Sequence, residues 1–137
     1  MSVIYSIDAV ERVVLLTTAG EPSFDEWRDT LLAVFSDPSF ESGFNFISDR
    51  RRATPPSREF VEQEIVFVRE REREFGRCRW AAVVPNPATD SVAREVTTRA
   101  GMSRVEVAFF YDPAEARKWV SGSGWGQGFS SPSGRAG

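Results

Sequence analysis

The sequence contains no histidine, and that one absence removes much chemistry. Without an imidazole there is no Ser-His-Asp or Cys-His arrangement, no histidine general base and no histidine-ligated zinc. A single cysteine, Cys78, excludes an internal disulfide and a thiolate metal cage. Lysine occurs once, at Lys118, so the basic side chains are otherwise arginines. No apolar run approaches the roughly 20 residues that a membrane-spanning helix needs. The net charge of -3 offers no broad basic surface for a phosphate backbone, so nucleic acid is not an expected partner. A Gly-x-x-x-x-Gly-Lys segment is missing too, which excludes a P-loop. Catalysis would have to rest on carboxylates, Tyr5, Tyr111, Lys118 or Cys78. The paired carboxylates Asp25–Glu26 and Glu62–Glu64 lack a companion base and read as surface charges. The expectation is therefore a protein that is not an enzyme, with no catalytic residue, no metal and no cofactor.

What remains is an ordinary globular composition over 137 residues, the length of one domain. The first residues, "MSVIYSIDAVERVV", carry neither a basic n-region nor a small-residue cleavage site, which points to a cytoplasmic protein. The reducing compartment suits the lone cysteine.

Periodicity supplies the elements. "VIYSID" and "ERVVLLTTAG" read as two strands joined by a short turn, hence an antiparallel hairpin. Ser23 and Glu26 have capping-box spacing, and Phe24, Trp27, Leu31 and Phe35 give a helix that Asp37-Pro38 stops. Trp27 reads as a core anchor. "GFNFIS" is a third strand, and a second helix is expected from Ser57 to Phe75. "RWAAVVP" is a fourth strand, "ATDSVAREVTTRAG" a helix closed by Gly101, and "RVEVAFFY" a fifth strand. "DPAEARKWV" is a last helix with Asp112 as N-cap and Pro113 in its first turn. Trp119 on that helix is expected to close the core. The order β-β-α-β-α-β-α-β-α implies an α/β domain over residues 1–121: a mostly parallel five-stranded sheet with helices on both faces. Residues 122–137 are Gly/Ser-rich and are expected to be a disordered tail.

The runs "VERVVLLTTAGEPSFDEW" and "DPSFESGFNFISDRR", then "RWAAVV", "VAREV" and "VAFFYDPAEARKWV", resemble the bacterial SpoIIAA-like domains. These are STAS-type proteins related in fold to anti-sigma-factor antagonists. The resemblance implies a STAS-like fold and a regulatory, non-enzymatic role in binding a protein partner through strand-end loops and the second helix. It implies alternatively a carrier of a small lipophilic or anionic ligand, since other relatives of this topology hold lipophilic molecules. In the antagonists a serine at the start of the second helix is phosphorylated. Ser57 occupies roughly that place, but it stands in Pro-Pro-Ser-Arg-Glu, without the small residues of the antagonist segment. Ser57 reads better as a helix N-cap.

The candidate site follows from sheet geometry, because ligands bind at the carboxyl ends of parallel strands, near a topological switch. There the sequence places Asp49, Arg50, Arg51 and Arg52 in a loop after the third strand. Ser57, at the start of the second helix, and Arg94, on the third, are added to this group. This group is expected to hold an anion or a partner, or else to pair internally, the arginines with Asp49 or Asp90. A homodimer is left open.

Overall fold

The computed structural model describes residues 2–101 and 104–122. The expected tail lies, apart from Gly122, outside the described residues. Strand β1 (Val3–Asp8) pairs antiparallel with β2 (Val13–Gly20), Val3 opposite Thr18 and Asp8 opposite Val13. The second strand starts two residues later than its pattern suggests, because Glu11 and Arg12 belong to the turn. Asp8 Oδ1 accepts the Glu11 N–H at 3.0 Å there, and Arg12 takes a positive φ of 60°.

The chain then alternates: α1 (Phe24–Ser36), β3 (Asn45–Ala53), α2 (Arg58–Glu70), the short α3 (Glu72–Phe75), β4 (Cys78–Val83), a 3-10 turn (Pro87–Asp90), α4 (Ser91–Ala100), β5 (Val105–Phe110) and α5 (Pro113–Ser121). The sheet order is β1-β2-β3-β4-β5, with β2 to β5 mutually parallel. Every crossover steps in the same direction. Right-handed connections of that kind leave their helices on one face. Helices α1 and α2 pack there through Trp27, Leu31, Val34, Phe67 and Val68 against Val14, Leu16 and Phe46, and α4 joins α2 through Val61, Ile65 and Val96. Helix α5 covers the opposite face, with Ala116 and Val120 against Ile47, Ala81 and Val83. Helices thus lie on both faces, as expected, but unequally. The order never reverses, so the sheet lacks the switch point on which the expected ligand edge was based.

Trp27 is the core anchor its spacing suggests, buried to 2% exposure and edge-on to Phe67 at 5.4 Å between ring centroids. Trp119 is only partly buried: it packs on Phe110 at 5.5 Å and lies under the Arg79 guanidinium at 5.1 Å. The buried Arg79 also donates from Nη1 to the Trp119 carbonyl at 2.6 Å. Asn45 Nδ2 donates to the Val120 carbonyl at 2.7 Å, and Asn45 Oδ1 accepts the Arg79 N–H at 2.8 Å. Asn45 thus satisfies a carbonyl at the end of α5, while the Trp119 carbonyl accepts the Gly122 N–H at 3.4 Å as well as Arg79.

Three further expectations change. The Ser23–Glu26 box is half formed: Ser23 Oγ accepts the Glu26 N–H at 3.1 Å, but Glu26 Oε2 takes the Ser2 and Val3 N–H groups, at 2.6 and 3.1 Å. The second helix is broken at Arg71, whose φ of -122° leaves helical geometry and whose guanidinium lies over Phe67. The third strand runs on to Ala53, so Asp49 to Arg52 are strand residues and not a loop. Arginines carry no strand pattern; the backbone of β2 supplies it, with Ala19 opposite Arg52 and Gly20 opposite Ala53. Between Thr17 and Ala19 the register slips, and β3 carries one residue more than β2. Such a bulge re-aims the side chains around it.

Candidate functional site

The six expected site residues do not form one cluster. Asp49 accepts from Arg51 three times: from Nη2 at 2.7 Å, Nε at 2.9 Å and the backbone N–H at 3.1 Å. The hydrogen bond from the Arg51 side chain holds the Asp49 carboxyl below its ordinary range and raises Arg51 in turn. Arg52 is exposed. Ser57 is the N-cap of α2, its Oγ accepting the Phe60 N–H at 3.1 Å. Arg50 is partly buried; its Nη2 donates to the Thr54 carbonyl at 3.3 Å, and the side chain lines a cavity. Arg94 donates from Nη2 to Asp90 Oδ2 at 2.8 Å and to the Tyr111 hydroxyl at 3.1 Å, with its guanidinium over Phe109.

That cavity, of about 80 Å³, lies where a carrier of this topology would hold its ligand, between helices and sheet, but, Arg50 apart, its lining residues were not among those expected from sequence. It lies between α2 and α4 and the sheet face they cover. Strand residues Trp80, Ala82, Val107 and Phe109 form one wall, with Trp27 beside them. Val61, Glu64, Ile65 and Val68 descend from α2, Ala93 and Thr97 from α4, and Thr89 and Asp90 from the 3-10 turn. Most of this lining is apolar. Its charged members are Arg50, Glu64 and Asp90.

Glu64 is not the surface charge its pairing with Glu62 suggests. It falls between Val61, Ile65 and Val68 on the inward stripe of α2, at the spacing i, i+3, i+4, i+7 that faces a core. That spacing was the available signal. Part of the residue reaches solvent, but the carboxyl group is packed among protein atoms. Burial pushes it up to about 7, with Arg50 pulling it back down. A charged carboxylate loses its hydration there, so the neutral form gains.

Asp90 is 1% exposed. It precedes α4, yet its side chain makes no capping bond. Oδ2 is held by Arg94, while Oδ1 is buried without a hydrogen-bond partner. The Asp90–Arg94 spacing was visible in the sequence; the burial was not, since it arises only where α4 meets the sheet. The other reactive side chains stand apart. Burial pushes the Cys78 thiol up to about 12 and keeps it inert. Tyr5 is raised by its 2.9 Å hydrogen bond to Asp37, away from the cavity lining. Among the described residues no group of three or more Cys, Asp and Glu side chains is placed to hold a metal ion.

A solved structure shares this architecture: an uncharacterised protein of the DUF3478 family, with a SpoIIAA-like fold, from Shewanella loihica PV-4. It superposes with a TM-score of 0.61 at 13% identity, over 87% of this chain and 94% of that one. The fold is SpoIIAA-like. No protein-family model and no curated protein matches the sequence. The SpoIIAA-like fold therefore stands on geometry, and the use of the cavity must be argued from its own residues. No helix among the described residues is long and apolar enough to cross a membrane.

Proposed function

We propose that this chain is a non-enzymatic binding domain of STAS type whose site is the cavity beneath α2 and α4. Its occupant is a small, mostly apolar molecule with a polar end. The observation that carries this reading is a largely apolar cavity whose lining includes a buried carboxylate, Asp90, with one oxygen unpartnered. Apolar walls with a few placed polar groups are the usual make-up of ligand sites. An anionic occupant, one of the two ligand classes expected from sequence, is disfavoured by the Asp90 carboxylate in the lining, and Arg50 already donates to the Thr54 carbonyl. Glu64, with an acidity near neutrality, would also suit general acid–base work. Binding is the reading that needs no further reactive group.

A second reading is the regulatory one, in which a protein partner docks at the strand-end edge and α2. Arg51, Arg52 and Ser57 are exposed on that edge and flank, along the chain, the cavity-lining Arg50 and Pro56. A phosphate on Ser57 would give up the cap but meet the positive end of the α2 dipole.

Native mass spectrometry of the chain purified from its own host tests the first reading against the second. A bound small molecule that disappears in Ala82→Leu, which fills the cavity from β4, supports the cavity. Ligand-free protein that instead carries a second polypeptide, lost on Arg51→Gln/Arg52→Gln, favours the edge.

A further inference from the structure

We infer that the polar end of the occupant is an O–H or N–H hydrogen-bond donor, and that Asp90 Oδ1 is the group that receives it. The inference rests on the cavity being a ligand site. Asp90 is buried in the cavity lining, and only one of its oxygens is used: Oδ2 has Arg94, Oδ1 has nothing. Buried side-chain oxygens in folded proteins are nearly all hydrogen-bonded, so a bare one asks for a donor from outside the chain. The ion pair with Arg94 fixes the Asp90 acceptor in place at the start of α4.

The rest of the lining sorts the candidates by chemistry. An anionic end would face Asp90 and, when ionised, Glu64. Arg50 is the cation lining the cavity, and its Nη2 already donates to the Thr54 carbonyl. A wholly apolar molecule would leave Oδ1 as bare as before. A neutral donor satisfies it without bringing a second charge. Trp27, Trp80 and Phe109 supply aromatic walls for the apolar body. At about 80 Å³ the space is smaller than the roughly 150 Å³ of an engineered cavity that accepts benzene, but it is partly open, so a single ring enters it in part and projects toward solvent.

Phenol, toluene and benzoate share one ring and differ in one group, so they separate these cases. Their dissociation constants for the full chain at neutral pH, read by ligand-observed NMR, should rank phenol tightest, at least tenfold ahead of toluene, with benzoate weakest. Asp90→Leu keeps the shape and removes the acceptor, and should cancel the preference for phenol over toluene. If that variant does not fold, the wild-type ranking decides alone. Equal binding of phenol and toluene overturns the donor inference and leaves the cavity reading standing. Tightest binding by toluene or benzoate also overturns it. If no probe binds at concentrations up to about 10 mM, corresponding to less than roughly 3 kcal/mol of affinity, the cavity reading falls as well.

Discussion

Arg94 holds one oxygen of the buried Asp90 at 2.8 Å and leaves the other without a partner. The guanidinium is about half exposed while the carboxylate is not, so the two residues are unequal in what they risk. Removing the arginine strands a buried charge; removing the charge strands nothing.

Arg94→Met should therefore cost about 1–3 kcal/mol, the range for an orphaned buried group. In an Asp90→Leu background the same change should cost under about 0.5 kcal/mol, as surface substitutions usually do. Urea denaturation of the four proteins of this cycle measures the difference. Equal costs in both backgrounds would mean that the ion pair contributes nothing.

Glu64 sets a pH dependence of a definite sign. Its carboxyl in the folded chain is raised from 4.5 to about 7, so folding favours the protonated form. The stability it contributes is fully present below the unfolded value and is lost as pH rises through about 7. The ceiling is roughly 3 kcal/mol, and partial exposure brings the expected loss to about 1–2 kcal/mol. Glu64→Gln should remove this loss, so that the variant overtakes the wild type between acidic and neutral pH. Asp49 acts with the opposite sign. Its lowered carboxyl stabilises above the unfolded value and loses that contribution on acidification.

The arginines of β3 should behave as three different residues. Arg52→Gln should leave stability within about 0.5 kcal/mol, as an exposed charge does. Arg51→Gln breaks a partly exposed pair and should lower stability only slightly. Arg50→Gln should raise the Glu64 midpoint further, since Arg50 is what holds it down. Carboxyl-detected NMR titration reads that shift, and an unmoved midpoint would separate the two groups.

Most of the element order was legible because periodicity reports burial. The heptad-like spacing of Trp27 and Leu31 and the apolar runs of β2 and β4 needed no tertiary information. Asp49 to Arg52 were misread as a loop because their strand conformation comes from β2, not from their own side chains. The break at Arg71 was hidden in an unbroken helical pattern. The site was hidden more deeply. Glu64 could have been found from its place among Val61, Ile65 and Val68, but Asp90 becomes a buried acceptor only through packing between distant segments.

Gly76 shows a similar dependence on distant backbone. It holds a φ of 69°, and a Cβ there would meet Ser42 Oγ and come within 2.8 Å of the Gly43 nitrogen. Gly76→Ala should cost roughly 1–3 kcal/mol, from strained backbone and the clash together. A thermal midpoint unchanged from wild type would show that the α3–β4 connection yields freely.

The cavity itself is tested most directly by amide chemical-shift mapping during a phenol titration, in the wild type and in Ala82→Leu. In the wild type the shifts should gather at Glu64, Ala82, Asp90, Ala93 and Thr97 and saturate together. In Ala82→Leu, with stability within about 1 kcal/mol of wild type, they should vanish. Shifts centred instead on Arg51, Arg52 and Ser57, or unaltered by the filled cavity, would contradict a ligand site beneath α2 and α4.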